Sequence, residues 1–197
     1  MGSAFTDIGL MVVNTIAGLF IFVVILRFLL QAVRADFYNP ISQFIVKATN
    51  PFLLPLRKMI PGFGGYDVAS LVLAVIVQLI AISATLVMIG FWPLPILNIA
   101  VWSVLGTIGV FLDLYFWGII IVIIISWIAP HNPNPAIDLL KQIIDPISKP
   151  IRDRMPDMGG MDLSPIIVIL ILRVFETLLS GFAGAAGYGG QFPIMGL

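Results

Sequence analysis

Two stretches of this chain carry nearly the same proline-rich sequence: NPFLLPLRKMIPGFGGYD at residues 50–67 and DPISKPIRDRMPDMGGMD at residues 145–162. They match in frame at seven positions, 95 residues apart. The shared residues are Pro51, Pro55, Arg57, Pro61, Gly64, Gly65 and Asp67 in the first copy, and Pro146, Pro150, Arg152, Pro156, Gly159, Gly160 and Asp162 in the second. A polar motif written twice in an apolar chain predicts an internal duplication.

The composition predicts an integral membrane protein. Of 197 residues, 60% are hydrophobic and 10% are charged, whereas a soluble domain carries roughly 25% charged residues. The absence of cysteine excludes disulfides, thiolate metal sites and thiol catalysis. The single histidine, His131, is read as an exposed loop residue, and we expect no metal, cofactor or catalytic residue. A net charge of zero without a basic run argues against nucleic acid as a partner.

Four stretches are long and apolar enough to cross a bilayer, which takes about 20 residues. They cover approximately residues 9–33, 68–91, 105–129 and 163–182. The first positive charge is Arg27, so the charged start of a cleavable signal is missing and the first stretch is read as a retained span. Between the second and third spans, FWPLPILNIAVW at residues 91–102 is expected to turn along the membrane interface.

The positive charges predict the orientation. Eight of the ten Lys and Arg residues lie in the connections between spans one and two and between spans three and four, which we call the first and second connection. These eight are Arg34, Lys47, Arg57, Lys58, Lys141, Lys149, Arg152 and Arg154. The positive-inside rule then places both connections in the cytoplasm and both termini outside. We expect a multi-pass protein of the bacterial inner membrane.

The 95-residue offset lays the first span on the third and the second on the fourth. The predicted fold is therefore all-α, with four transmembrane helices in two parallel repeats, each made of span, cytoplasmic connection and span. Residues 1–98 form the first repeat and residues 99–182 the second. Residues 183–197 are expected to be a flexible or interface-adsorbed, glycine-rich extracytoplasmic tail.

Each connection is expected to contain two short helices that lie on the membrane or dip into it. Asn39–Pro40 and Asn134–Pro135 predict an N-cap followed by proline at the first helical position. The prolines at 51 and 146 repeat that signal and are expected to open a second helix, which ends before the Gly-Gly pair. Asp67 and Asp162 are then expected to cap the following spans.

These motifs resemble the YggT family of small bacterial membrane proteins, which includes YlmG-type and plastid relatives. The matching sequences are NP…P…PLRKMIPGFGGYDVASLV and NP…P…PIRDRMPDMGGMDLSPII, each flanked by a span. One departure is that DLSP in the second copy is DVAS in the first. The resemblance implies four spans and no established enzymatic activity. It also implies diverse roles: osmotic or envelope stress, ion homeostasis, neighbourhood with division genes, and assembly of a haem-containing cytochrome in plastids.

Two interpretations are open for the motif arginines, Arg57 and Arg152. They could clamp lipid phosphates or an acidic partner segment through the guanidinium fork. Alternatively, each caps the end of its short helix and extends to the headgroups.

Charges inside a membrane are costly and suggest function. The four intramembrane charges are Arg27, Asp113, Arg173 and Glu176. Arg27 lies near the cytoplasmic end of its span and is expected to extend to the interface. The other three are expected to form a buried network, either as structural glue or as part of an ion path, and the first repeat does not duplicate them.

The favoured function is that of a non-enzymatic inner-membrane protein whose cytoplasmic connections engage membrane lipids or membrane-protein partners. It would act in envelope or osmotic stress homeostasis or in complex assembly. The alternative is a small oligomeric ion channel or transport-associated protein, with potassium as the candidate ion. Four spans leave little room for a pore in one chain, so this alternative requires a homo-oligomer. A membrane-embedded enzyme ranks third.

Overall fold

The computed structural model describes residues 2–128, 134–155, 162–190 and 192–197, with side chains from residue 4. Within these ranges the protein is all-helical, with a single isolated β-bridge between Phe63 and Tyr66. The helices are α1 (Gly2–Ala32), α2 (Pro40–Met59), α3 (Val68–Met88), α4 (Ile96–Ile128), α5 (Pro135–Arg152) and α6 (Ser164–Ala185).

Four of these helices, α1, α3, α4 and α6, are long and apolar enough to cross a membrane, which confirms the predicted four-span fold. The main difference is at α4, which begins at Ile96 and reaches 33 residues. The expected interfacial turn is therefore shorter than residues 91–102, because the residues from Ile96 onwards continue the apolar helix instead of following the surface.

The helices pack as two hairpins joined side by side. In the first repeat α1 packs on α3, and in the second α4 packs on α6; α4 also contacts both α1 and α3. Helix α2 lies against α1 and α3, α5 lies against α4 and α6, and α2 and α5 touch each other. Both connections are therefore at the same end of the bundle, as two parallel repeats require.

Each connection contains one continuous helix, so the expectation of two short helices was wrong. The prolines at 51 and 55 lie inside α2, and those at 146 and 150 lie inside α5. A proline removes one helical hydrogen bond and bends the helix. In α2 the buried face nevertheless runs through this point, from Ile45 and Thr49 to Leu53, and this packing on α1 stabilises the helix across the prolines.

The predicted starts of both connection helices are confirmed. The side-chain oxygen of Asn39 accepts a hydrogen bond from the backbone N–H of Ile41 at 2.9 Å. The side chain of Asn134 accepts one from Ala136 at the same distance. Each asparagine thereby satisfies a helix N–H that has no partner within the helix.

Both connection helices run well down the sides of the spans. Phe52 of α2 packs edge-on against Phe20 of α1, with ring centroids 4.9 Å apart. At 1.5 Å per residue, Phe20 lies about 18 Å from the C-terminal end of α1. In the second repeat, Leu140 and Ile144 of α5 approach the backbone of Gly118 in α4. The helices thus dip along the bundle and do not lie only across its end.

The first connection ends in a tight two-residue turn. Phe63 and Tyr66 exchange backbone hydrogen bonds of 3.2 and 3.0 Å around Gly64 and Gly65. Both glycines have positive φ, 60° and 86°, which side chains disfavour. This explains the Gly-Gly pair of the motif. Its second copy, Pro156, Gly159 and Gly160, lies outside the described residues.

The described tail residues pack against the bundle, unlike the flexible or interface-adsorbed tail that we expected. Phe192 and Ile194 are buried in a cluster with Trp102 of α4. The carbonyl of Met195 accepts a hydrogen bond from Gln78 at 3.1 Å. A Cβ at Gly109 would overlap the backbone of Gly196, so the glycine makes room for the tail. The packing of apolar tail residues on a small-residue face of α4 explains the difference.

Candidate functional site

The first copy of the motif is closed by a two-point ion pair between its arginine and its aspartate. Arg57, in the last turn of α2, bonds through Nη2 to Oδ2 of Asp67 at 2.5 Å and through Nε to Oδ1 at 3.2 Å. Asp67 is 3% exposed and also accepts a hydrogen bond from Ser70 Oγ. Nη2 of Arg57 also donates to Gln31 of α1 at 3.1 Å. The ion pair therefore holds the end of α2 against the start of α3, and the bond to Gln31 holds it against the end of α1.

The second copy repeats the pair in a more exposed form. Nε of Arg152 donates to Oδ2 of Asp162 at 2.6 Å, with the two side chains 50% and 38% exposed. Asp162 also accepts a hydrogen bond from the backbone N–H of Ser164 at the start of α6, as the capping hypothesis predicted. Asp67 instead makes no side-chain capping bond to the backbone of α3, because its oxygens are taken by Arg57 and Ser70.

The neighbours of these aspartates keep both carboxylates charged. Burial alone would raise the pKa of Asp67, but the hydrogen bonds from Arg57 and Ser70 and the charges of Arg57 and Arg27 hold it below its ordinary value. Burial likewise opposes the charge of Asp162, while hydrogen bonds from Ser164 and the charge of Arg152 lower its pKa.

The side chain of Arg27 is buried against α2, whereas we expected it to extend freely towards the interface. It is 5% exposed, and its Nη1 donates to the carbonyl of Val46, to Thr49 Oγ1 and to Asn50 Oδ1 of α2. A buried arginine requires such partners. No pattern in the sequence singles out Thr49, and the Asn50–Pro51 pair predicts the start of a second short helix.

A cavity of about 470 Å³ opens between α1 and α2 beside this arginine. Its lining includes three arginines, Arg27, Arg34 and Arg57, and the buried Ser42. Only Arg57 was assigned to the motif, so the grouping with the other two was missed. Positions 27, 30 and 31 follow helical spacing on one face of α1, and Arg34 comes two residues after the helix ends; this spacing was the available signal.

The corresponding cavity in the second repeat is smaller and different in charge. It has a volume of about 330 Å³ and is lined by Val122, Lys141, Asp145 and Arg152 among others. At the 95-residue offset between the repeats, Val122 corresponds to Arg27 and Asp145 corresponds to Asn50. The duplicated motif therefore supports two unlike cavities.

Two of the three intramembrane charges of the second repeat form an ion pair, and the third does not join it. Nη1 of Arg173 pairs with Oε2 of Glu176 at 2.6 Å, and the guanidinium lies 3.7 Å from the centroid of the Phe116 ring. Asp113 is half-buried and within electrostatic range of both charges, but it makes no hydrogen bond or ion pair within the described ranges. Oε1 of Glu176 is buried and has no partner there either.

The arginine side chains around the cavity could bind an anion. Arginine guanidinium groups gather near one end of the bundle, and they match phosphate and carboxylate oxygens. In the part of the chain that the structure describes, no group of three or more His, Cys, Asp or Glu side chains could hold a metal ion. His131 lies outside that part.

Comparison with known proteins gives a family match over most of the chain. The sequence profile described as CCB3/YggT matches twice, at residues 6–88 and 101–183. An uncharacterised protein of Pseudomonas aeruginosa is 43% identical over 185 residues, which cover 93% of this chain and 94% of the relative. The uncharacterised protein YggT of Escherichia coli strain K12 is 39% identical over 175 residues, or 88% and 90% of the two chains.

A plant relative matches a shorter region. The chloroplastic YlmG homolog protein 2 of Arabidopsis thaliana is 32% identical over 67 residues, which are 34% of this chain and 26% of that protein. No solved structure matches the chain with statistical significance.

Proposed function

This chain belongs to the CCB3/YggT family of membrane proteins, and from that premise we propose that it is a non-enzymatic binding protein of the bacterial inner membrane. Its two connections face the cytoplasm, both termini lie outside, and the connections engage lipids or membrane-protein partners. Through these contacts the protein serves envelope or osmotic homeostasis or the assembly of a membrane complex.

The observation that carries the proposal is that α2 and α5 meet at the same end of the bundle. The side-chain amide of Asn39, which caps α2, donates to the carbonyl of Pro135, the first residue of α5, at 2.8 Å. The backbone N–H of Asp36 also donates to the side chain of Gln142 at 3.2 Å. Two joined helices with basic side chains form a continuous surface that is suited to an anionic membrane or partner.

The two helices present different surfaces, which suits different contacts. Helix α2 exposes large apolar side chains, namely Phe44, Phe52, Leu54 and Met59. Helix α5 exposes no large apolar side chain but five charged ones, namely Asp138, Lys141, Asp145, Lys149 and Arg152. An exposed apolar face favours lipid, whereas a charged face favours headgroups, water or a protein partner. The lack of cysteine and the single histidine favour binding over catalysis.

Cross-linking and co-purification test the proposal directly. In a strain that carries the tagged chain as its only copy, we expect specific lipids or membrane proteins to co-purify in mild detergent. Replacing Lys141 and Lys149 by Gln should reduce capture through α5 without changing membrane insertion. Replacing Arg173 by Gln provides a control that removes a positive charge away from the connections. Equal capture by all variants, with unchanged growth under osmotic shock, would contradict the proposal.

A small oligomeric ion channel is the second candidate, favoured by the unsatisfied acidic groups near Arg173. Asp113 lacks a hydrogen-bond partner among the described residues, and so does Oε1 of Glu176. Carboxylates inside a span mark ion paths in many proteins. Purified chain in potassium-loaded liposomes tests this candidate. Selective flux that Asp113→Asn abolishes would support it, whereas no flux above protein-free liposomes would reject it.

A further inference from the structure

The cavity between α1 and α2 carries excess positive charge. Among the residues that the structure describes, its lining includes Arg27, Arg34 and Arg57 and no Asp or Glu. The ion pair with Asp67 neutralises one arginine charge. Arg34 is exposed and its side chain makes no hydrogen bond or ion pair in the ranges that the structure covers. The cavity therefore attracts an anion.

Polar groups in the cavity wall also lack partners. Within the described residues, all three hydrogen bonds of Arg27 leave from Nη1, so its Nε and Nη2 are available to a further acceptor, although neither is a fully buried atom without a partner. Ser42 is 3% exposed, lines the same cavity, and its Oγ has no hydrogen-bond partner there. Buried polar groups are normally satisfied. A ligand with several oxygen acceptors would complete these bonds.

We propose that this cavity binds the phosphate group of an anionic phospholipid. Arginine donors match phosphate oxygens, and the remaining wall includes apolar side chains such as Leu30, Phe37 and Leu54 that suit an acyl chain. Phe37 and Leu54 are exposed next to the cavity and continue this apolar wall outwards. Arg27 lies about 8 Å from the end of α1, a depth that suits a headgroup beside the connection.

The second repeat does not have the same site. Val122 replaces Arg27, and the carboxylate of Asp145 lies in the smaller cavity together with Lys141 and Arg152. The position that corresponds to Ser42 is Ile137. The lipid site is thus confined to the first repeat, although the motif arginine occurs in both. This inference rests on the lipid engagement proposed above and assigns it to one cavity.

A binding titration tests the site in the full chain. Purified, delipidated protein in neutral detergent is titrated against phosphatidylglycerol with a fluorescent acyl chain, and binding is followed by anisotropy. We expect saturable binding that unlabelled phosphatidylglycerol displaces and phosphatidylcholine does not. Arg34→Gln should weaken binding about tenfold, since a charge-assisted hydrogen bond is lost. Arg34→Lys should give an intermediate affinity because it keeps the charge but not the fork.

Arg154→Gln is the matched control, because Arg154 is an exposed arginine two residues after the other connection helix ends. It should leave the affinity unchanged, and elution profiles should show that all variants remain folded. Equal loss in Arg34→Gln and Arg154→Gln, or no loss in either, would overturn the site. Displacement by inorganic phosphate as strong as by the lipid would also overturn it. If Lys141→Gln and Lys149→Gln in α5 abolish lipid binding and Arg34→Gln does not, the cavity is excluded as the lipid site while the proposed function stands.

Discussion

The side-chain amide of Asn39 in the first repeat donates a 2.8 Å hydrogen bond to the carbonyl of Pro135 in the second. The same side chain caps α2 through its oxygen, so one residue starts one connection helix and holds the start of the other. Asn134 caps α5 in the same way, but it makes no corresponding bond to α2 in the described part of the chain.

This difference predicts unequal effects of substituting the two caps. Asn134→Ala should cost about 1 kcal/mol, the usual value of an N-cap. Asn39→Ala should cost about 2 kcal/mol because it also removes the bond between repeats. Asn39→Asp keeps the capping oxygen but loses the donor, so it should cost more than Asn134→Asp. Thermal unfolding in detergent measures these differences, and equal losses in the two repeats would contradict the assignment.

The two motif ion pairs should differ in their contribution to stability. Asp67→Asn weakens a pair whose acid is 3% exposed, and we expect a loss of about 1–2 kcal/mol after allowing for the partial exposure of Arg57. Asp162→Asn affects a more exposed pair and should cost less than about 1 kcal/mol. Denaturant or thermal unfolding of both variants and of the unsubstituted chain measures the two losses in the free energy of unfolding. A larger loss for Asp162→Asn would be inconsistent with the observed burial.

Stability should fall in acid because of Asp67. Its pKa in the folded protein lies below the ordinary value of about 3.9, so its charge stabilises the fold fully above that value. The stabilisation is lost as the pH falls through 3.9 towards the lower folded pKa. Unfolding midpoints between pH 7 and pH 3 should drop over this acidic range. In Asp67→Asn the drop should be smaller, and an unchanged pH profile would show that other carboxylates cause it.

The C-terminal tail should detach from α4 when Gly109 is replaced by a residue with a side chain. A Cβ there meets the backbone of Gly196, which cannot move aside independently, whereas a Cβ at Gly184 meets open space. The chain has no cysteine, so Ile194→Cys gives a single labelling site. When Gly109→Ala is added to Ile194→Cys, the rate at which maleimide labels the cysteine should rise about tenfold. This factor corresponds to a loss of about 1.4 kcal/mol from the free energy that keeps the tail packed. Gly184→Ala should leave the rate unchanged, and equal rates in the two variants would argue against a packed tail.

Cysteine labelling also tests the orientation. Lys58→Cys and Lys149→Cys lie on exposed positions of the two connection helices. Both should react with a membrane-impermeant reagent in inverted membrane vesicles and remain protected in intact spheroplasts. Labelling of the two positions from opposite sides would contradict the parallel arrangement of the repeats.

The sequence predicted the features that depend on local backbone chemistry. Four apolar stretches gave the spans, and the Asn-Pro pairs gave the starts of α2 and α5. The Gly-Gly pair indicated a turn, which in the first repeat requires positive φ at Gly64 and Gly65. Each of these features depends on the backbone or side-chain properties of a short stretch of sequence, and the corresponding residues occur twice, 95 positions apart.

Only the tertiary structure decided which distant side chains meet. Arg57 and Asp67 were both recognised as motif residues, yet their pairing depends on how the turn returns α3 to the end of α2. Arg27 was expected at the interface, but the rotation of α1 directs it to Thr49. Proline at position 51 was expected to start a helix, but burial of Leu53 in the core keeps α2 continuous. Local preferences set the beginnings and turns of helices, whereas the contacts between helices depend on rotation and depth, which no short stretch of sequence specifies.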